Sequence, residues 1–454
     1  MSASASTAKE PSALVRKGVG RTLLGMAVPM LAGTFAMNAY HLTDTWYVSR
    51  LGTRPLAAMS FSFPVVMLVF CVAGGLGTGL TMLVSHALGR GDRTAAARLT
   101  SHGFLLMTLV TVALSGLCCL FITPIFRALG ADAQTLPLVR TYMYVWFAGA
   151  LTMSLPHVGN GILISLGDSH AASRLMVLGT VLNAILDPIM IFGWFGFPRM
   201  ELFGAALATV LAQAVAAVWM LTLVARKHRL LLPLRQIVGD CLPSFRRIAA
   251  MGSPAILAMM LAPISTSVIT RLLGRFGHEA VAAAGAAGRV EMFSFVIPMA
   301  LGMSLTPFMS QNHGAGRFDR MREALRLGTR FALLYSAVAA VVFIVFAPQL
   351  AKLFSDDPRV IEVFVAYLRI IAFSYGMLEV QRYCGFTLNG LHLPLHATGI
   401  AAIRVAVLLI PLSLLGQRLL GLHGLFWGRL VADLLAGAIA LVWVWRVLNR
   451  QSRD

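Results

Sequence analysis

The chain has 454 residues, of which 58% are hydrophobic and only 12% charged, whereas soluble domains are nearer half apolar and a quarter charged. A net charge of +19 in a soluble chain would suggest a nucleic-acid partner, but here the basic residues gather in alternate loops, as membrane topology dictates. Composition therefore excludes a soluble globular domain and nucleic-acid binding. It leaves a polytopic membrane protein with room for roughly a dozen spans of about 20 residues.

Met1–Pro11 is polar and has no signal-peptide apolar region, so residues 1–21 are read as a cytoplasmic N-terminal segment. Six spans follow, centred on 22–47, 58–84, 99–123, 139–162, 172–195 and 203–225. A polar break at 226–248, rich in Arg, Lys and Pro, is read as a cytoplasmic linker. Six more spans are centred on 249–273, 279–307, 328–347, 361–388, 397–416 and 424–446, before a cytoplasmic tail at 448–454. The expected domains are thus 22–225 and 249–447. The loops holding Arg90, Arg93 and Arg98, Arg226 to Arg247, and Arg317 to Arg326 are basic, like both ends. The loops between them mix few bases with acids, as at Asp356-Asp357. By the positive-inside rule both termini are cytoplasmic, in a plasma (bacterial inner) membrane.

The second set of spans is a worn copy of the first, about 225 residues later. Arg50-Leu51-Gly52 matches Arg275-Phe276-Gly277, and Gly89-Arg90-Gly91-Asp92-Arg93 matches Gly316-Arg317-Phe318-Asp319-Arg320. Six spans per copy give both copies one orientation. The expected fold is an all-α membrane protein of 12 transmembrane helices, in two six-helix bundles related by a pseudo-twofold along the membrane normal. Such repeats belong to secondary transporters more than to channels or enzymes.

Asp44 and Asp187 interrupt apolar stretches of the first copy, where the second carries Ile269 and Ile410. A carboxylate in a span is costly and marks an ion or substrate path by default. On the first span Thr34, Asn38, His41 and Thr45 recur at helical spacing, with Asp44 on the flank of that stripe. On the fifth, Thr180, Asn183 and Asp187 share a face, and on the sixth Thr209 and Gln213 are four apart. These faces can converge only inside the first bundle. Two carboxylates in a low-dielectric pocket cannot both ionise cheaply and would titrate as a coupled unit. Alternatively, Asp44, Asp187, Asn183 and Thr209 offer hard oxygen ligands suited to Na⁺. The plain alternatives are that Asp44 caps its helix in water and Asp187 hydrogen-bonds a neighbouring span. Pro29 and Pro188 each remove a helix hydrogen bond, which makes both candidate hinges beside the acidic residues.

In the second copy Glu379 and Arg382 are three apart, and Arg429 and Asp433 four apart, which are ion-pair spacings. Glu291 either pairs with Arg289 or faces a substrate cavity. Cys71, Cys118, Cys119, Cys241 and Cys384 lack metal-ligand spacing. No ATP-binding motif or hydrolytic triad has a credible context, so neither primary pumping nor catalysis is expected, and no cofactor.

Tyr40-His41-Leu42-Thr43-Asp44-Thr45-Trp46-Tyr47-Val48-Ser49-Arg50-Leu51-Gly52 resembles the first-span signature of the multidrug and toxic compound extrusion (MATE) family. Val158-Gly159-Asn160-Gly161, Leu182-Asn183-Ala184-Ile185-Leu186-Asp187-Pro188 and Ser310-Gln311-Asn312-His313-Gly314 fit it too, and the pattern is nearest the DinF-like branch. The resemblance covers nearly the whole chain. It implies a V-shaped cleft, alternating access, and export of organic cations or amphipathic drugs against inward H⁺ or Na⁺. It makes Asp44 and Asp187 the coupling carboxylates, Asn160, Asn183 and Thr209 their partners, and Tyr40 a pocket residue. His157 departs from an archaeal-type pattern that has Asn there. It can titrate near neutral pH or be a packing substitution. The remaining expected cavity residues are Thr34, Asn38, His41, Gln213 and Glu291. Expected partners are small-molecule substrates and membrane lipids, with the protein a monomer. A lipid-linked oligosaccharide flippase of related architecture is the alternative, but it would need a basic cleft where this first bundle is acidic.

Overall fold

The computed structural model describes residues 13–237 and 240–451. The side chain of His41 and the termini at 1–12 and 452–454 lie outside the described residues. Among the described residues, nine helical segments are long and apolar enough to cross a membrane, and two bent helix pairs bring the total to eleven. The longest segment, Pro394–Gln451, breaks at Leu420 and Gly421, whose backbone angles are not helical. Splitting it gives twelve.

In chain order these are α1 (Val19–Ser49), α2 (Thr53–Gly89), α3 (Arg93–Leu120) and α4 (Leu136–Ala148 with Ala150–Ser165). Then come α5 (Ser169–Phe192), α6 (Glu201–Lys227), α7 (Leu242–Phe276) and α8 (His278–Ser294 with Val296–Gly314). The last are α9 (Phe318–Lys352), α10 (Pro358–Gly390), α11 (394–419) and α12 (422–451). Each expected span centre falls on one of them. The two bent spans, α4 and α8, turn by 51° and 55°. In α4 the break is at Gly149, where any side chain would run into Val210 of α6.

The helices form two compact units. Unit 1 holds residues 13–18, 28–253 and 310–316, and unit 2 holds 19–27, 254–309 and 317–451. The expected linker at 226–248 is not where this division falls. That segment lies inside unit 1, and the chain changes unit within α1, α7 and α8. Close packing in unit 1 supplies the reason. A Cβ at Gly79 of α2 would lie 2.7 Å from the Gly252 nitrogen, so the start of α7 rides directly on α2. The last turn of α8 is held there as well. Ser310 Oγ donates to the Met82 carbonyl at 2.7 Å, and Gln311 Nε2 donates to the Ser165 carbonyl.

Unit 1 has a core around Val139, Tyr142, Met143, Trp146 and Phe147 of α4, with Val65, Val69 and Phe126 against it. Unit 2 has two. One gathers Phe308, Met321, Tyr383, Leu388 and Val444 together with Val19 and Leu23 of α1. The other gathers Phe364, Leu368, Ile371, Tyr375 and Phe426.

Beyond the spans, Asp168 caps α5 through the Ala171 N–H at 3.2 Å and binds Lys227 and His228 at the end of α6. Burial pushes its carboxyl up, but Lys227, the Ala171 N–H and His228 together hold it below the ordinary carboxylate range. A carboxylate with a depressed folded-state value contributes stability that is present above its unfolded pKa, about 4, and lost as pH falls through the folded value. Asp168→Asn is expected to lower the unfolding temperature at pH 7 and to shrink this acid-side loss. Melting curves of both proteins from pH 7 down to pH 3 check it.

Candidate functional site

The site in unit 1 is assembled by α1, α4, α5 and α6. Glycines set the distances between these helices. A Cβ at Gly33 of α1 would meet Met176 Sδ at 2.8 Å, and one at Gly204 of α6 would meet the Met190 carbonyl oxygen of α5 at 2.5 Å. Thr180 of α5 donates to the Ala36 carbonyl of α1 at 3.2 Å, which fixes these two helices in register.

On this frame Asn183 Nδ2 donates to Asp187 Oδ1 at 3.1 Å and to Thr209 Oγ1 at 3.2 Å. Tyr40 OH lies 3.3 Å from the same Thr209 oxygen. Asp187 and Asn183 are fully buried, and Asp44 is 5% exposed. The two carboxylates feel one another's charge, and Tyr40 feels both. Asn160 is buried beside them in sequence pattern only: its amide donates to Met176 Sδ at 3.4 Å. Two buried acceptor oxygens of this group, Asp187 Oδ2 and Asn183 Oδ1, have no donor among the described residues, whereas buried acceptors are normally satisfied.

The other expected residues divide. Thr34 bonds back to the Met30 and Leu31 carbonyls, and Asn38 to the Thr34 carbonyl at 2.8 Å, so both are spent on α1 itself. Gln213 packs beside Gly179, one turn before Asn183. His157 is exposed, with its ring 6.1 Å edge-on to Phe70, which in turn abuts Trp146. The structure gives His157 no bond to the acidic pair among the described residues. Glu291 belongs to unit 2 and is 5% exposed. It does not pair with Arg289. Residues two apart on a helix point to opposite sides, and Glu291 instead meets Arg429 and accepts from Tyr367 OH at 2.7 Å.

Sequence reasoning missed Tyr142. It is 6% exposed on the first half of α4 and lies in the electrostatic field of Asp44, Tyr40 and Asp187. Arg140, Thr141 and Tyr144 beside it made this stretch polar on both sides, so no sequence signal singled Tyr142 out. It also missed Arg404, which holds Asp433 at 2.7 Å.

Among the described residues, the three buried carboxylates of unit 2 are each matched. Glu379 pairs with Arg382 at 2.7 Å, Asp433 with Arg404, and Glu291 with Arg429. Asp44 and Asp187 in unit 1 have no cationic partner among the described residues. The two halves of the repeat have thus kept opposite solutions to the same problem of a buried carboxylate.

The repeat is also visible from outside the chain: the MatE family model matches residues 29–189 and again 254–415. The chain belongs to the MatE family. Its members are small-molecule transporters, not enzymes, and it is a multi-pass membrane protein of this class. Relatives match along nearly their full length. The FAD transporter of Shewanella oneidensis is 36% identical over 430 residues, covering 94% of this chain and 95% of that protein. The multidrug export protein MepA of Staphylococcus saprophyticus is 25% identical, covering 97% and 96%. Among solved structures, the Vibrio cholerae MATE transporter VcmN in the bent form superposes with a TM-score of 0.91 at 29% identity, over 96% of this chain and 98% of that one.

The geometry of this candidate site depends on the α5–α6 contact. Gly204→Val is expected to force α6 off α5 at Met190 and to separate Thr209 from Asn183. Overpacking of this kind costs about 1–3 kcal/mol. Thermal unfolding and transport assays of Gly204→Ala and Gly204→Val should show a graded loss of both.

Proposed function

We propose that this chain exports amphipathic, planar small molecules by alternating access, in exchange for H⁺ or Na⁺ entering from outside, and that Asp44 and Asp187 are the coupling pair. One observation supports this above the rest: among the described residues, two buried carboxylates stand without a cation in unit 1, while the buried ones of unit 2 are paired. Only the uncompensated pair can take up and release a positive charge without breaking a fixed ion pair. Asn183, Thr209 and Asn160 would supply the remaining oxygens if the ion is Na⁺, and Tyr40 would close the pocket.

The route from ion binding to movement runs along α1. Residues 19–27 of this helix belong to unit 2 and the rest to unit 1, with Pro29 just past the change. Neutralising Asp44 alters the charge on the unit 1 part of a helix whose other end is anchored elsewhere. A coupling ion can drive transport only by binding the two states differently, and this hinge is where the difference would be spent.

Relatives named multidrug exporters favour a broad cargo range, and the relative named FAD transporter favours a flavin dinucleotide within it. We place the protein in the bacterial inner membrane as a monomer with both termini cytoplasmic. The alternative of a lipid-linked oligosaccharide flippase fits less well, because the relatives that match along nearly their full length are named for flavin and drug transport. The test is efflux of flavin dinucleotide or ethidium from proteoliposomes with pH and Na⁺ gradients imposed separately. Acceleration by one gradient is expected. Efflux indifferent to both would overturn the coupling.

A further inference from the structure

Arg289 is the eleventh residue past the start of the first half of α8, His278–Ser294. At 1.5 Å per residue that is about 17 Å along the helix from its start, well inside a segment that crosses a hydrocarbon layer of about 30 Å. The inward face of this helix half is a stripe of Ala280, Ala283, Ala284, Ala287, Val290 and Glu291. Arg289 points the other way. It is exposed, together with Ala282 and Gly285 below it and Met292 and Phe293 above. No carboxylate or hydrogen-bond acceptor meets it among the described residues. By contrast Arg382, Arg404 and Arg429 of the same unit each have an acid.

A guanidinium at mid-depth is too costly to face lipid tails and borders water or a bound anion instead. Ala282 and Gly285 leave it open on one side, and Phe293, one turn on along the same helix face, is 53% exposed. A planar, five-donor guanidinium matches phosphate oxygens in pairs, and an aromatic ring next to it suits a flat heterocycle.

We propose that Arg289 reads an anion: it takes the phosphate or pyrophosphate of a planar aromatic cargo, with Phe293 against the ring. This rests on the export reading for the cargo's access to α8, but not on ion coupling. Its consequence is selectivity for phosphorylated over unphosphorylated forms of one heterocycle.

Equilibrium binding to purified protein, with no gradient, tests it separately from coupling. Riboflavin, FMN and FAD share a ring system, and the first two differ by one phosphate. Wild type should bind FMN and FAD at least about tenfold more tightly than riboflavin, the size of a hydrogen bond to a charged group. Inorganic pyrophosphate should displace them. Arg289→Gln should lose that factor for FMN and FAD and change riboflavin binding less than about twofold, which also shows that the variant is folded. Arg289→Lys should fall between. The proposal is overturned if Arg289→Gln binds FMN and FAD like wild type, if it loses all three equally, or if wild type does not prefer the phosphorylated forms.

Discussion

Asp187→Asn is expected to abolish gradient-driven exchange while leaving the protein folded and able to bind cargo. The change is nearly isosteric, and an amide at this position can still meet Asn183 and Thr209. What it cannot do is bind and release a proton, or give a cation its negative charge. If the ion gradient is transmitted through this pocket, exchange should fall by about 100-fold, equivalent to about 2.8 kcal/mol at about 1.4 kcal/mol per decade. Asp44→Asn should act in the same direction. The double variant should be little worse than either alone, because two groups that titrate as a unit do not add. Stability moves the opposite way. Removing an unpaired buried charge relieves a desolvation cost, so both variants should unfold at the wild-type temperature or above. Proteoliposome exchange with and without an imposed gradient, beside melting curves, separates this from simple damage. Wild-type exchange in either variant would remove that residue from the coupling site.

Much of this was legible in the sequence because it is carried by local pattern. Apolar runs gave the twelve spans, since membrane thickness fixes their length. Asp44 and Asp187 stood out because charge is scarce in such runs, and the i, i+3 spacing of Glu379 and Arg382 fixed their contact on one helix. What could not be read depends on three-dimensional approach. Asp433 and Arg404 are 29 residues apart, and Glu291 and Arg429 are 138 apart. No periodicity joins them. Glu291 was therefore left between Arg289 and an open cavity, when its helix face already turns it away from Arg289. The exchange of helix ends between units was hidden for the same reason. It depends on glycines such as Gly79 and Gly252, whose meaning appears only when two backbones touch. Prolines were legible as possible hinges, but not the fact that Pro29 and Pro254 sit beside the points where α1 and α7 change unit.

Arg404→Met is expected to destabilise unit 2 strongly, and its rescue is the more informative result. Asp433 is fully buried and receives Arg404 at 2.7 Å, Ser374 Oγ at 3.4 Å and the Nε of Arg429 at 3.7 Å. Arg429 in turn is committed to Glu291 and Tyr367. Two acids and two arginines thus form a neutral cluster that ties α8, α10, α11 and α12 together. Removing one arginine leaves a net buried negative charge, which costs about 3–5 kcal/mol, whereas removing a matched pair is often near neutral. Arg404→Met combined with Asp433→Asn should therefore recover most of the loss, with a coupling energy of about 2 kcal/mol or more in the double-mutant cycle. Denaturant unfolding in detergent measures it. The same double variant should exchange cargo with an unchanged dependence on the pH or Na⁺ gradient, because its two charges cancel throughout and carry none across. An altered gradient dependence there, with Asp44 and Asp187 intact, would move part of the coupling into unit 2. Neutral pairing in one unit and unmatched acids in the other is thus a division of labour that stability and transport can measure independently.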